Sequence, residues 1–490
     1  MRVFLAVHLP KLPLEVFRPK WSSEPVHGSA VLEKDKVVIT DSAARAAGVR
    51  LGMKRGGVLT LSPETEMHER DAAKEAVAQR EVGVALMRFS PEVALLDEAT
   101  VVVEVGASLR LFGGLLALCR EAKAVLGTLG LTARISAAPT GQGGWLLAKF
   151  GNRRVLKLAS LEQRLAGLPM MSVPEVRPFG DWFSGLGCET IADVRRLPRA
   201  GLQRRCGEHL LDSLDRAFGT APELFDWLEL PPTFSARIEM PDRLEDADGA
   251  VFGAHRLIVQ LCGWLCAKQL AVTAIKLLLE HERGRDAIEP TTIDIALGEP
   301  TWKEEHLVRL LKERLHRIEL AAPVIALKLD ASKVESAAPA SDTLFFPEPG
   351  GSKEDHARLL ELLVARLGEE NVLRPAPTAD HRPEIANRWV PVTQKSKQKA
   401  LPLGLPRPTW MLDSPVRLLM RQHRPFYGSP LRMVSPGERI EAGWFDGELV
   451  TRDYFVAQAE DQSCYWIYRE RVSSRDVEEE QRWFLHGLFG

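Results

Sequence analysis

Residues 2–10, Arg-Val-Phe-Leu-Ala-Val-His-Leu-Pro, constrain this chain more than any other stretch. An apolar run this close to the start predicts a strand buried at the centre of a sheet. Pro10 and Pro13 supply turn chemistry directly after it. The end of a buried strand, where it opens on a cleft, is a natural place for reactive groups. His8 holds that position, and no carboxylate stands beside it in the run.

At 490 residues the chain is too long for one core, so two to four domains are expected. Net charge is −2, which excludes a global basic field, so nucleic-acid binding has to come from local patches. The six cysteines are scattered, with no CxxC and no histidine set at zinc spacing. Cys262 and Cys266, one helical turn apart in an apolar stretch, read as buried helix thiols in a reducing cytoplasm. The N-terminus lacks the form of a signal peptide, and no stretch is read as spanning a bilayer.

Taken in order, Leu14 to Trp21 is followed by a hairpin over Gly28 to Thr40. Asp41 or Ser42 caps a short Ala-rich helix that Gly48 ends. Arg45 sits in its first turns, either facing a cleft or as a solvated surface residue. Asp71 to Phe89 is helical, and strands flank Asp97-Glu98-Ala99. Leu111-Phe-Gly-Gly114 leads into a helix through Leu126. Leu131 to Ser136 is a strand, Ala137 to Gly144 a loop and Trp145 to Phe150 a helix. This order predicts an α+β domain with residues ~11–70 inserted.

Pro169 to Gly219 is helical and rich in arginine. Phe183 to Val194 reads helix, glycine turn (Gly185, Gly187), helix, a hairpin able to aim backbone N–H groups at a phosphate. Arg195, Arg196, Arg199, Arg204 and Arg205 follow, either as a DNA-backbone grip or as a solvated helical face. Pro231 to Asp330 runs β-α-β-β-α-β, the order of a ferredoxin-like domain. Residues 331–353 form a linker, and Glu354 to Leu367 a short amphipathic helix. Ala376 to Pro408 reads as extended or mobile. The tail holds a meander over Arg439–Phe445, Glu448–Gln458 and Ser463–Arg471, and an aromatic end that docks on its own sheet or on a partner.

There is no Walker A, HExxH, GxSxG or Rossmann fingerprint. The residues do carry a resemblance. Ser42-Ala-Ala-Arg45…Gly48-Val-Arg-Leu-Gly-Met53, Leu111-Phe-Gly-Gly114, Ile135-Ser136…Leu147-Ala-Lys149 and Gly185-Leu-Gly187…Ile191-Ala-Asp-Val194 resemble motifs of Y-family (UmuC/DinB-like) translesion DNA polymerases over residues ~1–345. Arg452-Asp-Tyr-Phe455…Trp466-Ile-Tyr-Arg-Glu-Arg471…Trp483 to Phe489 is similar to the tail of the ImuB subfamily, whose members are catalytically degenerate mutagenesis accessory proteins.

The resemblance implies an α+β multidomain fold: palm (1–10 and 71–168), fingers (11–70), helix-hairpin-helix thumb (169–230) and ferredoxin-like little finger (231–335). A linker (336–353) and a C-terminal partner-binding region (354–490, with a small β-meander at 436–490) complete it. Active members carry metal-binding aspartates where this chain has His8 and Pro10. The fingers tyrosine becomes Ser42, while its arginine persists as Arg45; these two are the remnant of a nucleotide site. The family's Ser-x-Asp-Glu motif falls on Leu95-Leu-Asp-Glu98, whereas the Leu-Phe-Gly-Gly frame sets the last carboxylate at Glu104, and the register stays open between them. Magnesium prefers oxygen ligands, so a chain without the first aspartate is expected to lose catalysis and hold no metal or cofactor. The alternative is an active polymerase using Asp97, Glu98 and Glu104 with Mg²⁺.

What remains implied is binding. Candidate DNA contacts are Gly185, Gly187, Arg195, Arg196, Arg204 and Arg205. Ser341-Asp-Thr-Leu-Phe345 resembles the β sliding-clamp motif, with Ser341 in the glutamine position and Leu344 and Phe345 as apolar anchors, or else packs locally. The resemblance further implies an error-prone C-family replicative-type polymerase and a small RecA-like protein as partners. It places the chain in the bacterial cytoplasm, nucleoid-associated, with no membrane.

Overall fold

The computed structural model describes residues 2–22, 27–282, 288–337, 353–394, 406–471 and 482–489. They divide into two compact units, residues 1–366 and 367–490.

The first strand, β1 (Phe4–His8), is central in its sheet. The stretch that the resemblance labels fingers contributes a separate three-stranded sheet of β2 (Ser29–Glu33), β3 (Lys36–Thr40) and β4 (Glu66–Glu69). The sheet of β1, in the stretch labelled palm, is completed by β5 (Val93–Leu96), β6 (Thr100–Glu104) and β7 (Arg134–Ala138), in the order β5-β6-β1-β7. β1 is antiparallel to both neighbours, with His8 opposite Thr100 and Arg134 and Phe4 opposite Glu104 and Ala138. Side chains alternate across a strand. Val3, Leu5, Val7 and Leu9 therefore share one core with residues 78–89 and 118–126, while Phe4 and Ala6 pack on the other face with Ala148. His8 has the parity of Phe4 and Ala6, and parity decides its neighbours below.

The helices of this part are α1 (Leu12–Glu15), α2 (Ser42–Ala46), α3 (Arg55–Leu61), α4 (Ala72–Leu86), α5 (Leu115–Thr128) and α6 (Gly141–Phe150). Asp41 caps α2, accepting from Ala44 N at 2.8 Å. The sequence Gly141-Gln-Gly-Gly144, expected to be loop, is the first turn of α6, with Thr140 as its N-cap. Close packing explains it. A Cβ at Gly143 would lie 2.8 Å from the Ala217 carbonyl oxygen, and one at Gly144 would lie 3.2 Å from the Ala6 methyl. The glycines let this helix lie directly on β1.

The stretch that the resemblance labels thumb is helical: α8 (Gly180–Gly185), α9 (Ile191–Arg196), α10 (Arg199–Cys206) and α11 (Glu208–Ala217) share one apolar core with the preceding α7 (Leu158–Ala166). The stretch that the resemblance labels little finger comprises β8 (Ser235–Leu244), α12 (Ala250–Lys268), β9 (Leu270–His281), β10 (Thr291–Thr301), α13 (Glu304–Leu315) and β11 (Val324–Ser336). Its sheet order is β10-β9-β11-β8, so each β-α-β crossover skips one strand, as in a split β-α-β unit. The second and fourth strands, β9 and β11, are central.

Three sequence expectations need correction here. Composition places helix α14 (Lys353–Leu367) in the C-terminal region, yet the first unit extends to residue 366. Ala365 and Leu362 join the little-finger core, and Glu361 accepts from Gly298 N at 2.5 Å and pairs with His306. Of the two thiols on α12, Cys262 is buried and burial pushes its pKa far up, but Cys266 lies at the surface. Finally, α12 is long and apolar enough to cross a bilayer, contrary to the sequence reading. Its apolar face is instead spent inside the protein, between the little-finger sheet and the palm helices α4 and α5.

That last packing is close. A Cβ at Gly263 would lie 2.1 Å from the Val84 carbonyl oxygen, so α12 meets α4 backbone to backbone. Arg256 of α12 pairs with Glu81 of α4, both largely buried, and Arg88 pairs with Glu304 at 2.6 Å.

The second unit contains a two-stranded sheet, Leu373–Pro377 with Asn387–Pro391, in a stretch expected to be extended or mobile. Its main sheet runs Trp410–Arg417, Trp483–Leu488, Cys464–Glu470, Val450–Gln458, Arg432–Met433, with Glu438–Ala442 also on Val450–Gln458. The meander thus begins earlier than 436. The aromatic end docks on its own sheet: Trp483, Leu485 and His486 are buried there.

Helix propensity alone favours alanine over glycine by about 1 kcal/mol. Gly263→Ala is nevertheless expected to destabilise the first unit by about 1–3 kcal/mol, because two helix backbones must separate. Gly127→Ala in α5, where a Cβ meets nothing within 4 Å, is the control expected to be neutral or stabilising. Urea unfolding of both variants measures the contrast.

Candidate functional site

The turn joining β5 to β6 is Asp97-Glu98-Ala99, and it lies against the end of β1. Glu98 and Ala99 both have left-handed backbones, φ +56° and +51°. This conformation is costly for residues with a Cβ, so surrounding contacts must hold it. Leu9 N donates to the Ala99 carbonyl at 2.9 Å. From α4, Gln79 Nε2 donates to the carbonyls of Leu96 at 2.7 Å and Thr100 at 2.9 Å.

His8 closes the turn. Its Nδ1 lies 3.1 Å from the Glu98 carbonyl oxygen and 3.1 Å from Thr100 Oγ1. A carbonyl only accepts, so Nδ1 carries the proton. Burial lowers the imidazole pKa; the Glu98 carbonyl opposes this, and the nearby charges of Lys149 and Arg134 lower it further. The ring is therefore a neutral structural donor at pH 7.

The Glu98 carboxylate forms ion pairs with Lys149 from α6 and with Arg177 from the thumb. Burial would raise its pKa, but the two pairs outweigh it and hold Glu98 below the usual carboxylate range. Lys149 is also fixed on three sides: its Nζ donates to the Ser172 carbonyl at 3.0 Å and stands 4.0 Å above the Trp145 ring. Arg177 Nε donates to the Met171 carbonyl at 3.0 Å. Glu98 thus ties palm to thumb through two cations.

The other sequence candidates are dispersed. Asp97 is exposed, with no hydrogen bond or ion pair among the described residues. Glu104 lies opposite Phe4, at the far end of β1 from His8, four residues or about 13 Å along the sheet. Its carboxylate accepts from Val3 N and Gly106 N, both at 3.1 Å. Glu104 and the Asp97-Glu98 turn therefore lie at opposite ends of the β1–β6 pairing. Pro10 lies in the turn that enters α1. Ser42 and Arg45 are exposed on α2, and Arg45 Nη2 lies 3.5 Å from the Thr40 carbonyl oxygen.

This donor set does not fit a pair of magnesium ions, which take oxygen ligands. One carboxylate is already neutralised by two cations, one stands alone, and one is elsewhere. Among the described residues no three His, Cys, Asp or Glu side chains are grouped to hold a metal ion.

The thumb hairpin forms as the sequence spacing suggests. Gly187 has φ +76° at the turn between α8 and α9, and Thr190 with Asp193 makes a capping box on α9. The arginines separate into two kinds. Arg195 pairs with Glu162 at 3.0 Å and lies 3.7 Å from the Phe218 ring centroid, and Arg199 makes two hydrogen bonds to Asp215. Both are paired, although Arg199 keeps 64% of its side chain exposed. Arg196, Arg204 and Arg205 are exposed as well; Arg196 has Asp193 at 3.4 Å and Arg205 lies 5.7 Å from the Trp182 ring centroid. Ser341, Leu344 and Phe345 lie outside the described residues. Lys149 was visible in the sequence only as part of a motif, and Arg177 carried no signal there, because its partner sits in another domain.

Acidification provides a test. The depressed His8 pKa means the folded state resists protonation that the unfolded chain accepts at its model value of 6.5. Its contribution to stability is full above 6.5 and is lost as pH falls from there through the folded-state value. His8→Gln is expected to flatten this part of the stability–pH profile, read by urea unfolding at several pH values. Glu98→Gln leaves the Lys149 ammonium without its carboxylate and is expected to cost about 1–3 kcal/mol in the same assay at pH 7.

The chain also matches known proteins. Residues 14–149 match the impB/mucB/samB family. Two proteins named ImuB, from Caulobacter vibrioides strains NA1000 / CB15N and ATCC 19089 / CIP 103742 / CB 15, are each 25% identical over 472 residues, covering 90% of this chain and 100% of theirs. Among solved structures, a Dbh ternary complex matches with a TM-score of 0.38 and 13% identity, over 67% of this chain and 98% of that one. A Y-family DNA polymerase chimera built on Dbh gives 0.37 and 14%, with the same coverage. Residues 14–149 are thus similar to the impB/mucB/samB family, and along nine tenths of its length the chain is similar to proteins named ImuB.

Proposed function

We propose that the chain is a non-catalytic polymerase homologue, a DNA- and sliding-clamp-binding adaptor in damage-induced translesion synthesis. One observation carries the reading: of the two carboxylates on the turn beside His8, Glu98 is spent on Lys149 and Arg177, and Asp97 has no ion pair among the described residues. A polymerase centre works by gathering carboxylates around two cations. Here the same turn holds the thumb on the palm.

The retained parts support binding. Arg196, Arg204 and Arg205 sit beside the Gly185–Gly187 hairpin with their charges available to a phosphate backbone. Arg195 acts on the fold rather than on DNA. The segment Ser341 to Phe345 supplies the clamp contact, with Leu344 and Phe345 as anchors. The likeness to ImuB supports the second unit as the site for the C-family polymerase and the RecA-like protein, and a bacterial cytoplasmic, nucleoid-associated location.

Primer extension on an undamaged template, with Mg²⁺ and then Mn²⁺, tests the reading. No incorporation is expected, while duplex binding persists. Arg196→Gln/Arg204→Gln/Arg205→Gln is expected to weaken duplex binding and to reduce the salt slope by about 0.9 for each phosphate no longer engaged. Templated incorporation abolished by Asp97→Asn would contradict the adaptor reading and favour the polymerase alternative.

A further inference from the structure

The second unit carries a charge imbalance that its own fold does not use. Residues 407–432 contain five arginines (407, 417, 421, 424 and 432) against one acidic residue, Asp413, in a chain whose net charge is −2. Arg407 pairs with Glu438, and Arg432 bonds to Gln458. Arg417, Arg421 and Arg424 are exposed and have no carboxylate partner among the described residues.

Two of them face each other. Strands Leu419–Arg421 and Arg424–Tyr427 form a hairpin in which Arg421 lies directly opposite Arg424, and Leu419 opposite Phe426. Like charges directly opposite on a sheet are destabilising. The turn between them, Gln422-His423, has both residues in the left-handed region, φ +49° and +59°. Two-residue hairpin turns of that shape favour Asn-Gly or Asp-Gly. The hairpin thus combines a repulsive pair with an unfavourable turn, and neither arginine has a carboxylate partner among the described residues. Strain that persists where it brings no packing is a pointer to function.

The geometry of the surrounding groups says what is bound. The Arg421 guanidinium carbon stands 4.1 Å from the Phe426 ring centroid, which fixes a charge over an aromatic face. Tyr427 is exposed, with its ring 5.4 Å from that of Tyr465, and Leu419 is exposed opposite Phe426. Paired guanidiniums suit phosphate oxygens, and exposed rings accept unstacked bases. We infer that the hairpin of residues 419–427 is a second nucleic-acid contact, selective for single-stranded DNA, with Arg421 and Arg424 sharing a phosphate and the neighbouring rings receiving bases. The choice of DNA as the polyanion rests on the adaptor reading above; the contact itself stands on residues of a different unit from the thumb.

The test uses the full chain and a labelled oligothymidylate, followed by fluorescence anisotropy across a salt series. Arg421→Gln/Arg424→Gln is expected to weaken single-strand binding. It should also reduce the slope of log affinity against log salt by about 0.7, the value for the one phosphate the two arginines share on a single strand. Arg421→Lys/Arg424→Lys should keep most of the slope, since it keeps the charge. The glutamine variant should also melt no lower than the parent, because it removes a repulsion. A thumb triple substitution that abolishes duplex binding while the oligothymidylate slope stays would further support a separate site. If the parent binds duplex and the hairpin glutamine variant binds oligothymidylate with an unchanged slope, the hairpin inference is overturned and the adaptor reading stands. A parent that binds neither nucleic acid overturns both.

Discussion

Everything distinctive about this molecule depends on the ionic knot at Glu98. Its carboxylate is held by Lys149 of α6 and by Arg177, while its backbone carbonyl accepts a hydrogen bond from His8 Nδ1. A divalent cation entering here would meet two side-chain cations. At ~4 Å and an effective dielectric near ~20, each unit of like charge costs about 4 kcal/mol, before any gain from Glu98 is counted. The protein's own cations occupy the electrostatic role that a metal would need, and the neutral imidazole completes the turn by hydrogen bonding instead of charge.

The residue type at the end of β1 matters to the turn. An ionised carboxylate there could not donate to the Glu98 carbonyl, whereas a histidine can. His8 Nδ1 does so, and Gln79 secures the other side of the turn. The left-handed backbone at Glu98 and Ala99 is therefore held by three elements at once. Further out, the close approach of α12 to α4 at Gly263 sets the little finger on the palm with little room for adjustment. The arginines of that helical stretch differ in their partners: Arg195 and Arg199 pair with Glu162 and Asp215, while Arg196 has Asp193 and Arg205 stands over Trp182.

Much of this was legible in the sequence where one physical signal dominated. The apolar run around Phe4 announced a central strand, and the Gly-containing turn at 185–187 announced a hairpin. The α12 and α13 helices followed from their apolar periodicity. Where two signals competed, the reading failed. Gly141-Gln-Gly-Gly144 resembles a loop by composition, but its glycines serve close packing inside a helix. Helix α14 stands after a linker by composition, yet Glu361 and Ala365 bind it to the little finger. Glu104 was indistinguishable from a site residue until the pairing of β1 with β6 placed it at the wrong end. Arg177 was invisible because its role exists only once thumb and palm meet.

The account stands or falls on whether the palm turn can hold a divalent cation. Titration of the full chain with Mn²⁺, followed by electron paramagnetic resonance, reads this directly, with Asp97→Asn alongside. The account expects only weak, nonspecific binding that Asp97→Asn leaves unchanged. A stoichiometric site that disappears in Asp97→Asn would mean that Asp97 and Glu98 do assemble a metal centre, and that the Lys149 and Arg177 pairs give way to it.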